Sequence, residues 1–297
     1  MIPATLDPSP AEKPPANPPA VKGSRFKERV KDLSVWVIAA VFFLPELWIF
    51  LSAFKTPQQI LAVPPRWIFR PTLQGLTAMA HEGAFWTYVF NSFFITFTAV
   101  FVAVGISFLA AYGLSRYRFR GGDFLMFVLL SIRMVPGSAS VLPLFLMYTA
   151  LGWTNTYAGI IAFDVMFSIP FAIWILKGYL DGVSPRFDES AQVDGFSRWR
   201  TMFRIILPQI LPGIVAAFIF NMIFVWNESL FNAILGGNTV QTIPVALQSG
   251  LNTINGINWQ YIASLSFVYT VPLMATIYFF QKYLLVGMTF GTVRGEI

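Results

Sequence analysis

Two stretches of this 297-residue chain, 83–115 and 134–163, contain no Asp, Glu, Lys or Arg. Each exceeds the roughly 20 helical residues needed to cross the ~30 Å hydrocarbon core of a bilayer. Lipid offers the backbone no hydrogen-bonding partner, and a helix satisfies its own groups internally. Long uncharged helices in a membrane are therefore the expected form. Composition agrees: 11% of residues are charged, against about 25% in an average soluble domain. With 56% hydrophobic residues and a mean hydropathy of +0.64, there is too little charge to cover a water-soluble globule.

Windows of about 20 residues with few or no charges predict six spans, near 33–54, 85–113, 123–149, 157–179, 205–227 and 261–285. Residues 229–281 are also uncharged, but Gly, Asn, Thr and Gln crowd the first half, which predicts an outward-facing loop or short re-entrant helix. Seven prolines fall in 1–24 with few large apolar side chains, a composition that cannot bury enough surface to fold. The expected organisation is a disordered, Pro-rich and basic cytoplasmic tail at 1–32, then a six-helix body at 33–297. The fold class is all-α integral membrane, with a cytoplasmic helix-turn-helix loop at 181–204. The first apolar run is of spanning length and no small-residue cleavage site follows it, so an uncleaved span is expected rather than a secretory signal.

Sixteen of the 20 basic residues fall on the side of the tail, three (Lys55, Arg66, Arg70) on the other, and Arg133 within a span. The positive-inside rule then puts both termini in the cytoplasm. Net charge +6 is explained by topology, with some attraction to anionic lipid and no nucleic acid partner. With no cysteine and one histidine, His81, disulfides, thiolate chemistry and a zinc cluster are all excluded. No metal site and no catalytic residue are expected.

The long loop between the fourth and fifth spans carries the one specific signal. Ser184-Pro185 reads as a helix start, with Asp188 and Glu189 in its first turn, where the positive end of the helix favours acids. Gly195 falls where that helix would stop, and Ser197 can cap a second one. Glu189-Ser190-Ala191, then Gly195 after three residues, then Ile205-Ile206-Leu207-Pro208 after nine more, follow a signature of Glu-Ala-Ala, Gly and Ile-x-Leu-Pro. With that spacing the chain resembles the permease subunits of bacterial ATP-binding-cassette importers, within the carbohydrate-uptake branch that includes the maltose permease. Ser190 for the first alanine is the one departure. Asp194, Asn91-Ser92, Trp226-Asn227-Glu228 and the terminal Gly287-Met288-Thr289-Phe290-Gly291-Thr292-Val293-Arg294-Gly295 resemble that branch too. Without the spacing match, an amphipathic connector lying on the membrane would account for Arg198, Trp199 and Arg200.

The resemblance implies a non-catalytic translocation subunit. It implies that helices within 185–199 dock into a cleft on a separate ATPase. Glu189 is the candidate electrostatic contact, Gly195 the turn, Phe187 or Phe196 the apolar plug, and Ser190, Ala191, Asp194, Leu207 and Pro208 complete the signature. Arg294 touches the ATPase by analogy. No Gly-x-x-x-x-Gly-Lys-[Ser/Thr] occurs, so the chain carries no cofactor of its own; ATP and Mg belong to two partner ATPase subunits. A second homologous permease, an extracytoplasmic solute-binding protein, a sugar-type substrate and membrane lipid complete the implied partners.

Polar residues in the spans, Asn91, Ser92, Thr96, Ser131, Asn221, Trp226 and Asn227, are candidates for the translocation path. The same residue types also hold transmembrane helices together. The intramembrane charges Glu46, Arg133 and Asp164 must face protein, water or a partner, and Arg133 and Asp164 are candidates for a pair. Pro136, Pro143, Pro170, Pro212 and Pro272 are expected to mark kinks or breaks. A non-sugar solute such as glycerol phosphate, a secondary carrier and a membrane enzyme are the competing readings. The last lacks an intramembrane His, Cys or paired carboxylates to do chemistry, and the second lacks inverted repeats.

Overall fold

The computed structural model describes residues 24–117, 120–251 and 256–289, and every regular element among them is helical. In chain order these are α1 (Ser24–Ser52), α2 (Pro57–Ile60), α3 (Gln74–Ala80), α4 (Phe85–Arg116), α5 (Gly122–Ile132), α6 (Gly137–Ala150) and α7 (Tyr157–Asp181). Two short helices follow, α8 (Arg186–Val193) and α9 (Arg198–Thr201), then a π-helical turn Met202–Ile206. The rest are α10 (Leu207–Gln209), α11 (Leu211–Trp226), α12 (Leu230–Gly236), α13 (Ile243–Gly250) and α14 (Trp259–Thr289). Two compact units are distinguished, with their boundary between Trp48 and Ile49; the first is most of α1, and the second is everything from Ile49 onward.

α1 begins at Ser24, so the basic segment 24–32, expected in an unfolded tail, forms the first turns of the first long helix. Past Pro19 the sequence holds no proline until Pro45, and Arg, Lys and Glu are good helix formers onto which an apolar helix propagates. The proline-rich segment itself lies outside the described residues, as do Arg118 and most of the terminal glycine-flanked motif with Arg294.

Among the described residues four helices are long and apolar enough to cross a bilayer, namely α1, α4, α7 and α14, or up to six crossings if each of two bent pairs is one span. The expected third span is not one straight helix: α5 and α6 meet at 92°. Pro136 causes the break, because it disfavours helical backbone at Val135 before it and offers no N–H of its own. The fifth span is bent by 77° between α10 and α11. Here Pro208 and Pro212 stand one turn apart, each removing a donor and crowding the carbonyl four residues back. Ahead of Pro208 the helix relaxes into the π turn, and the Leu207 N–H reaches the Met202 carbonyl. Pro143, Pro170 and Pro272 lie inside helices that continue through them.

Around the α4–α7 pair the second unit packs its core, with α11 laid against both. Small residues make this close approach possible: Ala99, Ala103, Ala111, Ala172, Ala216 and Ala217 are all buried. At Gly213 an added Cβ would come within 2.4 Å of the Tyr179 ring, so no other residue fits that crossing without displacing the tyrosine. At the far end from α8 and α9, the polar stretch expected as a loop or re-entrant helix forms two short helices. α12 sets Phe231 against Phe163 with ring centroids 4.2 Å apart, and Ile243 at the start of α13 lies in a cluster with Met79, Phe85, Trp226 and Leu265.

Candidate functional site

The segment between α7 and α11 forms a helix–turn–helix. Its first helix is one residue later than the Ser184-Pro185 start implies, with Pro185 at the cap position and the Asp188 N–H bonded to the Pro185 carbonyl at 2.9 Å. α8 ends in a Schellman arrangement: the Phe196 N–H reaches the Ala191 carbonyl at 2.9 Å and the Gly195 N–H reaches that of Gln192 at 3.1 Å. Gly195 has φ +80°, the left-handed conformation in which a side chain is strained, and Asp194 is the helix cap before it. Ser197 then caps α9 by accepting the Arg200 N–H. Phe196, half-buried, lies under the Arg200 guanidinium, 4.5 Å from its ring centroid.

Two faces of α8 differ sharply. Asp188 and Ala191, three residues apart, point into the protein and are buried, whereas Phe187, Glu189, Ser190 and Asp194 are exposed. Val193, a large apolar side chain, is 88% exposed. Leu207 is half-buried and Pro208 exposed, and together they form the bend described above.

What fixes α8 comes from residues 72 to 76 positions away. The Asp188 carboxylate accepts the Arg116 Nε–H at 2.8 Å and the Tyr112 hydroxyl at 2.6 Å. The remaining edge of the Arg116 guanidinium donates to the carbonyls of Leu180 at 3.2 Å and Val183 at 3.1 Å, closing the exposed C-terminus of α7. Beside it, Ser115 donates to Asp181 at 2.7 Å, and Lys177 holds the other oxygen of that carboxylate at 2.7 Å. Arg198 of α9 donates to the Tyr117 hydroxyl at 2.6 Å. Tyr112, Arg116, Asp181 and Asp188 are thus the residues that sequence reasoning missed in their structural role. Arg116 carries no local mark of its partner, although the 188/191 spacing on a helix with 189 and 193 opposite does identify the inward face.

Several of the path candidates bond to other segments of the chain. Asn91 donates to the Gln241 carbonyl at 2.8 Å and accepts the Tyr157 hydroxyl at 2.6 Å, and Ser92 accepts the Ile243 N–H at 2.8 Å. Trp226 is buried, donates to the Tyr269 carbonyl at 3.1 Å and stacks on that ring. Thr96 and Asn221 are buried, and Asn221 and Ser131 each donate to a carbonyl one turn back in their own helix. Asn227 is exposed and accepts the Tyr269 hydroxyl. Asn91, Ser92, Trp226 and Asn227 thus tie their helices to other segments, while Asn221 and Ser131 bond within their own helices.

Nor do Arg133 and Asp164 form the expected pair. The Arg133 guanidinium lies 4.4 Å from the ring centroid of Phe167, 5.3 Å from Phe171 and 4.5 Å from Phe224. Phe167 and Phe171 are one and two turns along α7 from Asp164, so the arginine meets the helix at a different height. Asp164 is 2% exposed, buried in α7. Glu46 lies on α1 with an exposed side chain. Glu228, just beyond α11, accepts the Phe231 N–H at 2.8 Å at the start of α12, and burial raises its carboxyl above the ordinary value.

Residues 103–289 match the family described as binding-protein-dependent transport system inner membrane component. A probable ABC transporter permease of Sinorhizobium fredii is 35% identical, covering 87% of this chain and 92% of the relative. The diacetylchitobiose uptake system permease of Streptomyces coelicolor is 29% identical, over 88% of this chain and 97% of its own. The trehalose/maltose transport system permease of Thermococcus litoralis is 29% identical, over 88% and 94% respectively. In three dimensions, a chain of a bacterial ABC transporter involved in the import of alginate superposes with a TM-score of 0.75 at 20% identity, covering 90% of this chain and 99% of that one, a likeness of fold. The loop signature and the family match over most of the body agree: this multi-pass chain belongs to the binding-protein-dependent transport system inner membrane components, the permeases of ABC importers.

Proposed function

We propose that this chain forms, with a second homologous permease, the path for a carbohydrate (a sugar, oligosaccharide or polyol) across the cytoplasmic membrane. ATP binding and hydrolysis in two partner ATPases would drive it, with Mg and nucleotide bound there. The observation that carries this reading is the built face of α8: Asp188 and Ala191 anchor it, while Phe187, Glu189 and the almost bare Val193 face away from the protein. An apolar side chain with acidic neighbours, set beyond the spans on a helix clamped from behind, suits insertion into a cleft on another subunit. Binding and release of ATP then bias two arrangements of the spans. The charge asymmetry supports cytoplasmic termini and contact with anionic lipid.

The names of the similar permeases, for diacetylchitobiose and for trehalose/maltose, support the sugar class. A solute-binding protein outside the membrane would deliver the substrate, so specificity rests mainly there. Purifying the tagged chain from its native membrane in mild detergent tests the assembly. A complex with a second membrane subunit and two ATPases, hydrolysing Mg·ATP, is expected; a lone chain active in transport overturns it. Calorimetric titration of the co-purified binding protein with oligosaccharides, polyols and glycerol phosphate tests the substrate class, and binding of glycerol phosphate alone would refute the carbohydrate assignment.

A further inference from the structure

Among the four helices of 25 residues or more, α1, α7 and α14 each contain an interior proline (Pro45, Pro170 and Pro272), and α4 contains none. The two other crossings are broken at 92° and 77°. A proline or a break lets a helix flex where the hydrogen-bond ladder is interrupted, so displacement at one end is absorbed before it reaches the other. α4 is the described crossing element without such a joint.

Both of its ends are latched to segments far away in sequence. At one end Tyr112 and Arg116 hold Asp188 of α8, Ser115 holds Asp181, and Tyr117 accepts from Arg198 of α9, so both halves of the loop hang on the last turns of this helix. At the other end Asn91 donates to the Gln241 carbonyl and Ser92 accepts from the Ile243 N–H, so the start of α13 hangs on its first turns. Asn91 and Arg116 are separated by about 37 Å along the helix axis at 1.5 Å per residue. Tyr112, Asp188 and the Arg116 side chain at one end, and Asn91 and Ser92 at the other, are buried, so slack at either end would leave polar atoms without partners.

We propose that α4 is the strut through which the ATPase-bound loop moves the outward segment around Gln241–Ile243, with Arg116 and Asn91 as the positioning residues at its two ends. α7 and α11 are continuous with the loop in sequence, but Pro170 in one and the 77° break ahead of the other make them the compliant connections. The inference rests on the docking of α8 proposed above.

The chain contains no cysteine, so single reporters can be introduced cleanly. A nitroxide at Arg186→Cys, exposed at the start of α8 and not among the side chains assigned to docking, reports docking, and one at Leu251→Cys, exposed just after α13, reports the outward segment. In the purified complex, trapping with Mg·ATP and vanadate should change the mobility of both labels. Arg116→Lys, which keeps the charge but loses the fork, should leave the response at 186 intact and abolish that at 251. Asn91→Leu should do the same from the opposite end, and the double variant should be no worse than either single one. Should a strong variant fail to assemble, Tyr112→Phe and Ser92→Ala, each deleting one hydrogen bond, should still at least halve the response at 251. A response at 251 of wild-type amplitude in these variants, or losses that simply add, overturns the strut. An unresponsive label at 186 in the otherwise unaltered chain sinks the docking reading itself, a distinguishable result.

Discussion

Replacing Gly195 by alanine isolates one physical effect. Its φ of +80° strains any L side chain, yet an added Cβ would meet nothing within 4 Å. The cost is therefore conformational and not steric, about 1–2 kcal/mol for a left-handed residue bearing a Cβ. That corresponds to a factor of roughly 5–30 in the population of the turn. α8 is held by Asp188 and α9 by Arg198, so the fold stays intact while the angle between the helices is no longer enforced. The expected result is normal membrane insertion and an unchanged unfolding temperature, with affinity for the ATPase lowered by about that same 5–30-fold. Gly195→Asn is the control, since asparagine tolerates the left-handed region and should retain most of the affinity. Titrating purified ATPase onto the solubilised permease and following Mg·ATP hydrolysis measures both. Wild-type affinity in the alanine variant would refute the role of the turn, and an asparagine variant as weak as alanine would refute the backbone argument.

Asp188→Ala leaves the Arg116 guanidinium buried without its carboxylate, which should cost about 3–5 kcal/mol, read as a clear fall in the thermal unfolding midpoint in detergent. Pairing it with Arg116→Met should recover much of the loss, and no recovery would contradict the pair. Arg133 has Nε and Nη2 buried without an acceptor among three phenylalanine rings, so Arg133→Met should leave thermal stability unchanged or raise it. Reversing both charges with Arg133→Asp/Asp164→Arg should rescue nothing, and a rescue would restore the discarded ion pair. Burial holds Glu228 above its ordinary value of 4.5, so the folded chain binds more protons than the unfolded one once the pH passes 4.5. Stability should therefore decline as pH rises from there through the folded value and level off above it. Melting temperatures should lose that decline in Glu228→Gln, and an unaltered pH profile would reject the assignment.

Much of the spans was legible because hydropathy and charge act residue by residue: α4, α7 and α14 lie where uncharged windows predict them. The helix–turn–helix was legible as well, because Gly195 and Ser197 are local stop and start signals. Less legible was the depth of the two bends. Pro136, Pro208 and Pro212 mark the places, but the 92° and 77° angles depend on what each half packs against. The polar residues of the spans were the least legible. Asn91 and Ser92 read alike in sequence whatever they bond to, and only the positions of Gln241 and Ile243 show that one donates to a carbonyl and the other accepts a backbone N–H.

By itself, then, the chain of residues determined the all-helical class, the spans and the helix–turn–helix, since bilayer thickness, hydrogen-bond satisfaction and glycine chemistry constrain each short segment on its own. Tertiary structure alone decided partners: that Asp188 belongs to Arg116 and Tyr112, and that Arg133 belongs to aromatic rings and not to Asp164. A charge in a low-dielectric interior must be compensated within a few ångströms, and which group stands at that distance is a property of how helices cross, on which one linear sequence bears no mark.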